Sequence, residues 1–225
     1  MPDSGLQPQQ PLPGPSRLAI TLDDVRRALA LPDFDVMEAQ LRMAPQPRPF
    51  RRIDAPGTAR LASVLVLLYP VDGVLTFVLM RRPEYQGVHS GQISLPGGSR
   101  EDGETFEQTA LRETCEEFGV SDPVELLGAL TPIYVPPSDF EIHPFVGYLP
   151  SRPDLKPDPG EVAAALEVPL HLLLDPGAKG IEETSRDGQP FTIPFYRVGP
   201  HQVWGATAIM LSELEGRLRA VIEVK

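Results

Sequence analysis

Apolar positions along the chain follow two rhythms. From Ala62 to Tyr69 they are nearly unbroken, as in a strand buried on both faces. Val71-Asp72-Gly73 supplies a turn, and Leu75 to Met80 returns as a second strand, so the pair reads as a hairpin. Gln92 to Leu95 reads as a short strand leading into Pro96-Gly97-Gly98, and Val124 to Val135, Ile142 to Leu149 and Phe191 to Val198 as further strands. Elsewhere the pattern is helical. Thr21 caps a helix that runs to about Leu31, with Asp24 at the reciprocal capping position. A second helix covers Val36 to Met43, and a third runs from about Thr105 to Phe118, closed by Gly119. Glu161 to Leu166 and Leu170 to Leu174 read as short helical pieces around Pro169, and Ala206 to Leu218 as a terminal helix. Strands and helices mix without regular βαβ alternation, which predicts an α/β fold with a mixed sheet between helices.

Composition narrows this picture. Hydrophobic residues make up 41% and charged residues 23%, which is ordinary for a globular domain. A net charge of −11 and a pI near 4.8 argue against nucleic acid as a partner, because that needs a basic surface. An acidic protein can still hold an anionic small molecule if a metal ion supplies local positive charge. One cysteine, Cys115, excludes an internal disulfide; mid-helix, it reads as a small apolar filler facing the core. No run reaches the ~18 apolar residues that cross a bilayer, so no membrane partner is expected. The opening residues lack signal-peptide features, and the expected location is cytoplasmic. Residues 1–16, rich in Pro, Gln and Gly, read as a tail and linker, and 17–60 as a helical extension and connector.

The chemistry concentrates between Gly98 and Val120. Gly98 is followed by Glu104, then Arg112-Glu113, then Glu116-Glu117, then Gly119. On a helix, Glu117 lies about 40° from Glu113 around the axis, and Glu116 about 60° to the other side. Three carboxylates share one face, a spacing that costs helix stability by a few tenths of a kcal/mol per pair. A hard cation such as Mg²⁺ or Mn²⁺ compensates for such crowding, because it prefers oxygen ligands. Gly97 and Gly98 let the backbone approach a ligand closely. Any two of these residues fit an ordinary solvated helix; the complete spacing does not.

Residues Gly98 to Val120 resemble the Nudix box at every fixed Gly, Glu and Arg position, with Thr114 standing where an aliphatic residue is usual. The resemblance implies a Nudix-type α/β/α sandwich spanning 61–225 and hydrolysis of a nucleoside diphosphate derivative. It implies Glu113 and Glu117 as leading metal ligands and Glu116 as a third ligand or the group that activates water. The Gly98 carbonyl is a further candidate ligand. Arg112 and Glu104 would orient the carboxylates through a salt bridge. Glu161, read at the start of a helix, is a candidate base or extra ligand.

Upstream, His89-Ser90-Gly91-Gln92-Ile93-Ser94-Leu95-Pro96-Gly97-Gly98 is similar to the segment before the box in the coenzyme A pyrophosphatase branch. Arg82 matches that branch, whereas Gly87 stands where it usually has Arg. The segments Tyr134 to Phe140 and Val203 to Ala208 are also similar. The resemblance implies coenzyme A or its thioesters as substrate and Arg82, His89 and Trp204 as substrate contacts. His89 is also readable as a loop or capping residue, and Trp204 as core. ADP-ribose, dinucleoside polyphosphates and nucleoside triphosphates are alternative substrates, and a non-catalytic nucleotide-binding module is a second alternative. The family's habits include a homodimer.

Overall fold

A computed structural model describes residues 19–47, 59–84, 91–186 and 188–222. Residues 1–16, His89 and most of the 44–60 connector lie outside those ranges. The central strand β1 (Arg60–Val71) carries eight consecutive buried positions. Side chains of a strand alternate between faces. Val64, Val66 and Leu68 therefore enter one core, and Leu65, Leu67 and Tyr69 the other. β2 (Val74–Arg81) returns antiparallel through Asp72 and Gly73, both at positive φ (49° and 79°). Two consecutive positive φ values give the two-residue turn that matches strand twist, so the expected hairpin forms.

The remaining strands assemble around this pair. They are β3 (Ile93–Ser94), β4 (Gly97–Ser99), β5 (Glu125–Ala129), β6 (Ile133–Val135), β7 (Phe140–Tyr148) and β8 (Ala164–Pro169). β7 runs parallel to β1, and the other pairings are antiparallel, so the sheet is mixed. A second antiparallel sheet contains β9 (Lys179–Arg186), β10 (Gln189–Val198) and β11 (His201–Trp204). Helix α3 (Phe106–Phe118) covers one face of the large sheet through Ala110 and Phe118. Helices α1 (Leu22–Leu29) and α4 (Gly205–Ile222) cover the other, the latter through Met210, Leu211, Leu214 and Leu218. The result is the expected α/β/α sandwich. α2 (Val36–Leu41) joins this second layer, where Ser212 Oγ donates to the Ala39 carbonyl at 2.6 Å.

Three expectations change. The single strand expected over 124–135 is two, because Pro132 has no N–H to donate and Thr131 turns to bond the Glu213 carboxylate at 3.1 Å. The helical piece expected over Glu161 to Leu166 is instead a turn followed by β8, which pairs with Thr76 to Arg81 of β2. The open edge of β2 outweighs weak local helix preference there. Strands β9 and β11 carry little apolar alternation and were not anticipated; β9 is exposed from Ile181 to Ser185. The 3-10 turn over Leu170–Leu174 and the terminal helix fall where expected.

α4 is anchored by buried charge. Glu215, 1% exposed, accepts from Lys179 Nζ and the Tyr196 hydroxyl at 2.5 Å and from Arg219 Nε at 2.7 Å. Removing one member of a buried ionic group strands the others. Glu215→Ala should therefore cost about 3–5 kcal/mol, read as a lower denaturant midpoint with an unchanged slope.

Candidate active site

The site is built where α3 meets β4. Thr105 caps α3 and shares a capping box with Gln108; Gly119, at φ 68°, ends it. Between those stops, helical spacing turns Glu113 and Glu117 toward the two glycines of β4. The Gly97 N–H donates to the Glu117 carboxylate at 2.8 Å. A Cβ on Gly97 would lie 2.2 Å from the Ser63 carbonyl, and one on Gly98 would lie 2.4 Å from a Glu113 carboxylate oxygen. No larger residue fits beneath these acids without displacing strand or carboxylate.

One carboxylate oxygen each from Glu113, Glu117 and Glu161 lies within 4.8 Å of the others. Glu117 is 1% exposed, Glu113 half-buried and Glu161 exposed. Burial pushes the Glu117 carboxyl up to about 8; the Gly97 N–H and Arg82 pull against that rise, and Glu113 and Glu161 add to it. Burial also raises Glu113, against the pull of Arg112. No ion pair involves Glu117 among the described residues. Three converging carboxylates, one of them desolvated, suit a hard divalent cation such as Mg²⁺ or Mn²⁺.

Glu161 reaches this trio from a turn far along the chain. The Asp158 carbonyl accepts from the N–H groups of Glu161 (3.1 Å) and Val162 (2.8 Å). Asp158 N–H donates to the Glu117 carbonyl at 2.9 Å, and Ala163 N–H to the Arg81 carbonyl at 2.9 Å. The turn is thus tied to the end of α3 and to β2. Glu116 lies outside the trio, exposed and bonded to Arg112 at 2.9 Å.

Arg112 is a hub. It grips Glu104 with two nitrogens (2.7 and 3.2 Å), and it also donates to Glu113 (3.0 Å) and the Ser99 carbonyl (3.1 Å). The guanidinium holds the Glu104 carboxyl down to about 2, helped by donors from Thr109 and Glu101. One side chain thereby fixes the loop before α3 and aims Glu113.

Arg82 lies beside the trio, its Nη2 at 3.5 Å from the Gly97 carbonyl. Its backbone N–H donates to the Gln92 carbonyl at 2.9 Å. Gln92 helps line a cavity of about 390 Å³ with Ile93, Pro200, His201, Gln202 and Trp204. Trp204 is 39% exposed, so it is not the core residue that its neighbours in sequence allow. His89 lies outside the described residues. Cys115, expected in the core, is exposed, because the inward arc of α3 is taken by Thr114, Glu117 and Phe118. Thr114 fits an apolar place by donating to the Ala110 carbonyl at 2.7 Å. The Gly97 amide and His201 were not singled out from sequence. The adjacent glycines hinted at the first, and nothing local marked the second.

A profile of the NUDIX domain matches residues 59–187. The chain belongs to the Nudix family. It is 36% identical over 191 residues to the human mitochondrial coenzyme A diphosphatase NUDT8, covering 80% of this chain and 78% of that protein. It is 34% identical over 190 residues to the uncharacterised Nudix hydrolase NudL of Photorhabdus laumondii, covering 83% and 96%. Nudix hydrolase 15 of Arabidopsis thaliana, named mitochondrial, is 34% identical over 160 residues, covering 67% and 55%. Relatives therefore include organellar proteins, and the family does not carry the expected cytoplasmic location. Among the described residues no helix is long and apolar enough to cross a membrane.

In this Nudix pyrophosphohydrolase, burial makes the Glu117 carboxyl favour its proton. In the unfolded chain Glu117 ionises near 4.5 and in the metal-free fold near 8, so the fold binds the extra proton between those values. Its contribution is complete below about 4.5 and is lost as pH rises through 8. Glu104, with a depressed carboxyl, acts in the opposite direction at lower pH. Thermal melts of metal-free protein from pH 5 to 8 should show a falling midpoint, and Glu117→Gln should flatten that fall.

Proposed function

We propose that this Nudix hydrolase cleaves the diphosphate of coenzyme A or its thioesters, giving 3′,5′-ADP and 4′-phosphopantetheine, with Mg²⁺ or Mn²⁺ as cofactor. The observation that carries the pyrophosphatase part is the convergence of Glu113, Glu117 and Glu161 within 4.8 Å, beside Arg82. Support for coenzyme A comes from the human and mouse proteins named coenzyme A diphosphatase, each 36% identical to this chain. The similar residues upstream of the box point the same way.

In this reading Glu113 and Glu117 would hold the cation, with the Gly98 carbonyl as a further candidate ligand. A bound divalent cation would neutralise the diphosphate and lower the pKa of a water. Arg112, itself braced by Glu104, keeps Glu113 aimed, while Glu116 steadies Arg112. Arg82 meets a non-bridging oxygen of the diphosphate with its guanidinium. Glu161, open to solvent at the rim, takes the proton from the attacking water. The water oxygen bonds to one phosphorus, the bridging P–O bond breaks, and the other phosphate leaves with that electron pair.

Incubation with coenzyme A, ADP-ribose and diadenosine polyphosphates, with Mg²⁺ or Mn²⁺, followed by mass analysis, tests this. Coenzyme A should give 3′,5′-ADP and 4′-phosphopantetheine at the highest kcat/KM. Preferential cleavage of ADP-ribose would overturn the substrate. Glu117→Gln should lower kcat by orders of magnitude while far-UV circular dichroism stays unchanged.

A further inference from the structure

The cavity between β3 and β11 differs chemically from the carboxylate trio beside it. Among the described residues, Gly91, Gln92, Ile93, Pro200, His201, Gln202 and Trp204 line it, and none of these carries a fixed charge. Burial and the nearby Arg81 lower the His201 imidazole from its ordinary value, so it is neutral at pH 7, with one ring nitrogen to donate and one to accept. Among the described residues, no side chain bonds to the ring of His201 or the amide of Gln202. Trp204 presents a partly exposed indole. The floor is fixed: β11 pairs with β10 from Val198↔His201 to Phe195↔Trp204, and Thr207 Oγ donates to the Ile93 carbonyl at 3.3 Å.

The site is a depression of about 390 Å³, open to solvent, so one face of a ligand would lie against it. Neutral amides, an imidazole and an indole suit a flat, uncharged heteroaromatic group. They suit a phosphate poorly, and the indole offers a flat face on which such a ring can stack. Arg82 connects the two places, since its backbone bonds Gln92 at the cavity while its side chain approaches the Gly97 carbonyl at the trio. We propose that this cavity is the nucleobase subsite, where the adenine of the nucleotide stacks on Trp204 and is read by His201 and Gln202. The inference rests on the diphosphatase reading for the placement of the diphosphate at Arg82 and the trio.

Trp204 is the single tryptophan of the chain, so its fluorescence reports on this cavity alone. Titrating the full-length protein with 3′,5′-ADP should quench that emission saturably, whereas 4′-phosphopantetheine and inorganic pyrophosphate should not. His201→Ala, which keeps the reporter, should weaken the 3′,5′-ADP response several-fold. Trp204→Ala should raise KM for coenzyme A about 10-fold, the size of one lost base–aromatic stack, with the change falling on KM more than on kcat; Trp204→Phe should restore it. Coenzyme A hydrolysis with Trp204 silent to 3′,5′-ADP, or quenched equally by 4′-phosphopantetheine, overturns the subsite and leaves the diphosphatase reading standing. Quenching by 3′,5′-ADP without coenzyme A hydrolysis supports the subsite and overturns that substrate.

Discussion

Burial of the Glu117 carboxylate against the β4 backbone is the constraint on which the rest of the site depends. A desolvated acid is tolerated in a fold only if something compensates it. Here the compensation inside the protein is partial. One amide, that of Gly97, donates to it, and Arg82 stands nearby without closing an ion pair. Gly97 and Gly98 have no room for a side chain because the acids descend onto the strand itself. The helix, the glycine pair and the pairing of β4 with β1 are therefore one device. It leaves negative charge that an oxygen-seeking cation can complete.

Arginine and glutamate do two different jobs in this molecule. Arg112 holds Glu104, Glu113 and Glu116 together beside the site. On the other face, Glu213 and Glu215 are buried and accept from Gln40, Thr131 and Arg217, and from Lys179, Tyr196 and Arg219, respectively. That second network pins α4 to the N-terminal helices and the small sheet. The same helix packs on β11 and reaches β3 through Thr207 Oγ, which donates to the Ile93 carbonyl at 3.3 Å.

Much of the site was legible because it is local. Thr105, Gln108 and Gly119 fix where α3 starts and stops through contacts within one turn. Given those limits, the spacing of Glu113 and Glu117 determines their shared stripe by helix geometry alone. The same arithmetic put Glu116 on that stripe and Cys115 in the core. The first holds, since Arg112 Nη1 bonds both Glu113 (3.0 Å) and Glu116 (2.9 Å), with Glu116 at the exposed edge outside the trio; the second does not, because the sheet covers only part of the arc and Cys115 faces solvent. Periodicity gives angles around an axis, and it does not say which angle the neighbouring layer will cover.

By itself, then, the sequence determined the hairpin of β1 and β2, the two-faced burial of β1, the capped helix and the identity of its acids. Each rests on interactions between residues close along the chain. Tertiary structure decided that Glu161 joins the trio, that residues 164–169 extend as a strand, and that Trp204 faces a cavity with His201. Those outcomes depend on which sheet edge was open and which loops were stitched to it, and hydrogen bonds between distant backbone segments leave no mark in local composition.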